Sequence, residues 1–120
     1  MNIRAAATFA CLAYLASQAQ ALAKSAFDGP WRVTTTTTSG DCDRVLHYRI
    51  VIIDGRVMSG DITGVSGQVA ASGAVTVRVS RKEGTAVGSG RLSGSSGSGH
   101  WTMRSPSKQC AGEWEAERVP

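Results

Sequence analysis

The sequence predicts an all-β domain, a small eight-stranded up-and-down antiparallel barrel that follows an N-terminal signal helix. From about residue 31 onward, apolar residues recur at every second position, the period of a strand with one buried face, and no later segment has the period of a helix. Gly, Ser and Asp break the alternation at short intervals, as the turns of a strand meander do. The run TTTTT at 34–38 belongs with these strands, because β-branched side chains sit easily on a pleated surface and lose freedom in a helix.

Met1 to Ala23 reads as a secretory leader. Arg4 gives the positive start, AAATFACLAYLA the apolar run, and AQALA small residues for cleavage after Ala23 or Ala21. The alternative is a membrane anchor. Against it, the apolar stretch is shorter than the roughly 20 residues that span a bilayer, and Gln18 and Gln20 interrupt its end. The expected organisation is therefore a signal peptide, 1–23, and one barrel domain, 24–120, in the periplasm or outside the cell.

Strands are expected at 31–38, 45–53, 56–60, 66–71, 74–80, 85–93, 98–104 and 109–118. Asp54-Gly55 and Ser72-Gly73 are two-residue reversals, since Asp and Gly tolerate the positive φ of primed turns. Lys82-Glu83-Gly84, the run SSGSG at 95–99 and SPSK at 105–108 supply further turns. The glycines between 84 and 99 have the composition of a flexible linker. However, Leu92, Trp101 and Met103 keep a strand phase through and beyond them, and glycine in a strand marks sharp bends. In the last segment, Glu113, Glu115 and Glu117 fall on one face and Gly112, Trp114 and Ala116 on the other. Burying three carboxylates would be very costly, so Trp114 faces the interior.

Cys11 lies in the leader, which leaves Cys42 and Cys110. In an oxidising compartment an isolated pair is most simply a disulfide, the alternative being two free thiols. In an up-and-down order the connections alternate between two ends. Cys42, in the first connection, and Cys110, where the last connection enters the final strand, then share one end on strands that become neighbours if the sheet closes. The same parity sets Trp31 at the opposite end beside Arg118, where a guanidinium can lie over the indole. Val33, Leu46, Tyr48, Ile50, Ile52, Val69, Val75, Val77, Val79, Leu92, Trp101, Met103 and Trp114 are expected to fill the interior and leave no cavity.

The chain carries 13 basic and 9 acidic side chains, a formal charge of +4 with Arg4 included, and the basic residues are scattered. With few aromatics among them, no nucleic-acid groove is indicated, and the expected state is a monomer. His47 and His100 belong to no close-spaced ligand set, so no metal site is expected, and no cofactor. The serines lack a G-x-S-x-G elbow, Gly88-x-Gly90 does not extend to a dinucleotide fingerprint, and Asp41 and Asp43 read as turn formers. No catalytic residue is assigned and the protein is read as not an enzyme. What remains is a mixed-charge rim on the connections at the cysteine end: Asp41, Asp43, Asp61 and Glu83 with Arg44, Arg81, Lys82 and Lys108, and Arg104 close by. Loops held by a rigid scaffold are where binding is expected, and Arg44, Arg81, Lys82, Arg104 and Lys108 are the candidate binding residues.

Phe27-Asp28-Gly29-Pro30-Trp31 resembles the F-x-G-x-W signature of the calycin barrels, lipocalins among them. That resemblance implies that Trp31 closes the barrel base with an arginine of the last strand, here Arg118, packed across it. The wider span, including VTVRVSR, GSGRLSGSSGSGHW and CAGEWEAER, resembles small exported alphaproteobacterial proteins of unknown function, sometimes described as heme-utilisation or adhesion exoproteins. No heme-ligand pattern accompanies it. The function expected is a non-enzymatic binding module acting on a protein or envelope component. The alternative is a periplasmic inhibitor of a hydrolase, a protease or lysozyme, since periplasmic metalloproteinase inhibitors are similar in size, export and barrel type.

Overall fold

Eight strands follow one another in chain order: β1 (Gly29–Ser39), β2 (Val45–Ile53), β3 (Arg56–Met58), β4 (Val65–Val69), β5 (Ala74–Arg81), β6 (Gly84–Ser93), β7 (Ser96–Arg104) and β8 (Gln109–Arg118). Each is antiparallel to the next, and β1 pairs with β8 to close the barrel. The structure, a computed structural model, describes residues 25–60 and 62–120. The signal helix expected for 1–23, and Asp61 of the expected rim, lie outside the described residues.

The reversals follow their turn chemistry. Asp54 and Gly55 have φ of 52° and 78°, the positive pair that a two-residue primed hairpin requires. Two expected turns are corrected. At Ser72-Gly73 only Gly73 has a positive φ, 98°, and its N donates to the Ala70 carbonyl at 2.8 Å, so this reversal takes the three residues 71–73 and not two. The chain reverses at Gly94-Ser95, and the Ser-Gly run after it is strand: Ser96 pairs with Ser93 and Glu117, and Gly97 with Leu92 and Ala116. A run laddered on both sides has its backbone groups satisfied as sheet, so its Gly/Ser composition does not make it a loop.

Along every strand the inward residues alternate with outward ones, and, Cys110 at the other end apart, the buried apolar side chains gather in a single layer. Trp31, Ile52, Val57, Val69, Val75, Leu92 and Ala116, with Phe27 of the segment preceding β1, form this core. Each strand residue among them lies near the end of its strand that meets the base, so the packed interior is a floor across one end of the barrel.

Trp31 is the centre of that floor, with 0% of its surface exposed. Its indole Nε1 donates to the Phe27 carbonyl at 2.8 Å, which settles the one polar atom of an otherwise apolar plug. Trp31 and Arg118 are register partners of β1 and β8, and the guanidinium carbon stands 4.8 Å from the indole centroid. Arg118 Nη1 and Nη2 donate to the carbonyls of Asp28 and Ala26, both at 2.8 Å. The arginine therefore knots the segment before β1 onto the last strand while covering the indole.

Asp28 fastens the same segment to the β2–β3 hairpin. Its Oδ2 accepts from Asp54 N at 2.8 Å and its Oδ1 from Gly55 N at 3.1 Å. Desolvation pushes the carboxyl up, but the amides of Asp54 and Gly55, with further bonding from Ser25, outweigh it and hold its pKa below the ordinary value. A depressed folded-state pKa adds stability that is complete above the unfolded-state pKa and is lost as pH falls through the folded value. The acid limb of a pH–stability curve should therefore flatten in Asp28→Asn, with wild type and variant converging at low pH. Parallel curves would show that the carboxylate has no such linkage.

The wall is uneven. The ladder between β2 and β3 covers only Val51–Ile53 of β2, and β3 meets β4 at the single register pair Arg56–Gln68. Ser59 leaves the sheet with its hydroxyl on the Arg49 carbonyl at 3.3 Å, and the upper half of β2 is not laddered to β3. Leu46, on the inward face of β2, is 37% exposed there.

Candidate functional site

Above the floor the barrel is hollow. Trp31, Ile52, Val57, Val75, Leu92 and Ala116 form the bottom of a cavity of about 640 Å³ that opens at the end carrying the disulfide. This corrects the expectation of a filled interior. Val33, Leu46, Tyr48, Ile50, Val77, Val79, Trp101, Met103 and Trp114 point inward as their alternation requires, but they line the space and do not meet across it. The physical reason is the size of their neighbours. The inward positions of β6, β7 and β8 above the floor include Gly88, Gly90, Gly99 and Gly112, and β1 contributes Thr35 and Thr37. An eight-stranded barrel can either be filled by side chains or hold one small ligand, and inward glycines select the second state.

Those glycines also set the posture of two tryptophans. Trp114, on β8, reaches across β7 to β6, where its Nε1 donates to the Ser89 carbonyl at 3.2 Å. A Cβ on Gly90 would come within 2.6 Å of its Cζ2, and one on Gly99 within 2.7 Å of its Cε2. Trp101, on β7, leans the other way over β8, with Nε1 donating to the Glu113 carbonyl at 3.2 Å. A Cβ on Gly112 would stand 2.8 Å from its Cζ2 and Nε1. Contacts this short are not available to real side chains, so only glycine lets the indoles lie down on the wall. With their N–H groups spent on backbone carbonyls, the rings offer the lumen an apolar face.

Polar groups are sparse inside. Tyr48 is partly buried, and desolvation raises its pKa, opposed by a hydrogen bond with the Thr35 side chain and by the Arg81 charge. The phenol is therefore a neutral hydrogen-bonding group at physiological pH, and the described residues lining the lumen below the mouth carry no charge.

The mouth is held by the disulfide. Cys42 and Cys110 are bonded, with Cα atoms 6.2 Å apart, on the connection after β1 and on β8. Thr37 Oγ1 donates to the Asp43 carbonyl at 2.6 Å and Lys108 Nζ to the Asp41 carbonyl at 3.0 Å, which fixes the same connection further. The described rim residues do gather at this end, but they divide. Arg81 and Lys108 line the opening with Asp41, Asp43 and Glu83, whereas Arg44, Lys82 and Arg104 do not. Arg104 follows inward Met103 and so stands on the outer wall. Arg81 Nε and Glu83 Oε1 are 4.0 Å apart with both side chains exposed, a pairing of little energetic weight. The rim is a mixed collar and not a concentrated patch of either sign.

Among the described residues no three His, Cys, Asp or Glu side chains come together as a metal-holding group. His47 Nδ1 lies 3.1 Å from Thr34 Oγ1, and His100 is a register partner of Glu113; both histidines are exposed. The disulfide is compatible with an oxidising periplasmic or secreted location. No protein-family profile, curated protein or solved structure matches the chain.

Proposed function

We propose that this protein is a small exported, non-enzymatic binding module whose barrel lumen takes one apolar small molecule. The observation that supports this best is the hollow itself. Its volume lies within the roughly 300–1,000 Å³ of small-molecule sites, with apolar walls and few polar groups, as such sites have. A barrel built only for stability would gain from larger inward residues on β6 to β8, because each unfilled volume forfeits packing contacts. The fixed disulfide collar keeps the mouth in place without needing core packing there.

The test uses 1-aminoanthracene, a neutral apolar dye whose emission rises on leaving water. Wild-type protein should bind it one-to-one and melt at a higher temperature in its presence, as any ligand selective for the folded state causes. Val77→Trp places an indole in the lumen from β5, where the void can take it without overpacking. It should weaken dye binding by about tenfold or more while keeping the fold. Charge reversal at Lys82, outside the opening, should leave binding unchanged. Failure of wild type to bind either this dye or the aliphatic probe 1-dodecanol, or undiminished dye binding by Val77→Trp, would overturn the reading.

A further inference from the structure

We infer that the lumen selects a flat, uncharged ring system over an unbranched aliphatic chain, the ring lying against Trp101 and Trp114; this rests on the lumen-binding reading above. A tryptophan that serves only as filler would be packed on both sides. Here each indole lies against a glycine-bearing wall and also lines the void, with Trp114 touching the floor at one side. Both rings are also pinned at the nitrogen, Trp101 to the Glu113 carbonyl and Trp114 to the Ser89 carbonyl, so their tilt is fixed before any ligand arrives. A pre-set apolar plane loses little entropy when a second plane is laid on it. A flexible chain would still have its own rotors to freeze.

The strand order completes the shape. In a closed ring of eight strands, β7 and β8 stand across from β3 and β4, so above the floor the indoles face Ile62 and Val65. The space between is a slot with one aromatic wall and one aliphatic wall. Among the described residues lining it, Thr35, Thr37 and Tyr48 supply the hydrogen-bonding side chains, and the charged ones stand at the collar. An ionised group inside would be desolvated without a partner, which restricts the ring to neutral substituents such as hydroxyl or carbonyl.

The experiment compares two neutral probes of similar bulk, 1-aminoanthracene and 1-dodecanol, by calorimetric titration and by quenching of tryptophan emission. Wild-type protein should bind the ring about tenfold more tightly, the size expected of stacking on an aromatic face. The paired change Trp101→Leu with Trp114→Leu should erase that preference and leave dodecanol affinity within about twofold, since Leu keeps the apolar surface without the plane. Emission from Trp31 and the melting curve report whether this variant is folded; if it is not, the wild-type affinity ratio decides alone. Equal or tighter binding of dodecanol by wild type, or a ring preference that survives in the folded double variant, overturns the inference while lumen binding stands. If neither probe binds, lumen binding falls, and the inference with it.

Discussion

Changing Cys42 and Cys110 together to serine should lower unfolding free energy by about 4 kcal/mol and the melting temperature by on the order of 20 °C. The two cysteines are 68 positions apart, so the bond removes from the unfolded chain a loop that spans most of the described domain. Its place in the fold makes the loss hard to compensate. The buried apolar layer lies at the opposite end, and around the mouth the side chains face either solvent or the lumen. Without the link, this end is held by contacts such as Lys108 Nζ, just before β8, to the Asp41 carbonyl and Thr38 Oγ1 of β1 to the Ala111 carbonyl of β8, both exposed. Urea titrations of the double serine variant and of reduced wild-type protein should give the same loss. A difference below about 1 kcal/mol from oxidised wild type would show that the link constrains nothing that matters to stability.

Trp31→Ala should destabilise by about 4 kcal/mol, the range of aromatic-to-alanine changes in cores. The side chain is wholly buried, and its loss strips three partners at once. The floor loses its largest fully buried side chain, the Phe27 carbonyl loses its donor, and Arg118 is left over a void. Trp31→Phe should recover a good part of this, because a ring still fills the floor, though the hydrogen bond to Phe27 is not restored. A double-mutant cycle with Arg118→Leu should give a coupling near 1 kcal/mol, the usual scale of a guanidinium over an indole. Additive losses would mean that the arginine acts only through its bonds to Asp28 and Ala26. Since small domains are stable by only about 5–15 kcal/mol in all, each of these changes should leave the barrel close to its limit.

Much of this architecture was legible because it depends on parity. Two-residue alternation sets which face each side chain takes, and the number of reversals sets which end each connection occupies. Together these locate Cys42 beside Cys110 and Trp31 beside Arg118 before any contact is known. The hollow depends on how far each side chain reaches, and apolar alternation carries no information about reach. Alternation assigns Val77 and Trp101 alike to filling the interior, because both face inward. Gly88, Gly90, Gly99 and Gly112 share that inward phase, and setting the strands of 84–118 in register would have put the glycines under the indoles. The rim divides for a similar reason: the connections fix its height on the barrel, but whether Arg81 or Arg104 turns toward the opening depends on each residue's place in its strand.

The contrast around the barrel's circumference bears on its motion. On the side of β1 and β8 the wall is laddered along its length and welded by sulfur. Farther round the ring, β3 is three residues long and touches β4 at one register pair. Opening costs least where backbone pairing is thinnest, so this barrel should flex like a split ring, widening along one seam while its clasp and stopper hold still. On the lumen-binding proposal, guests of different girth pass without melting the scaffold, and amide exchange fastest at 59–60 and 62–66 is the signature.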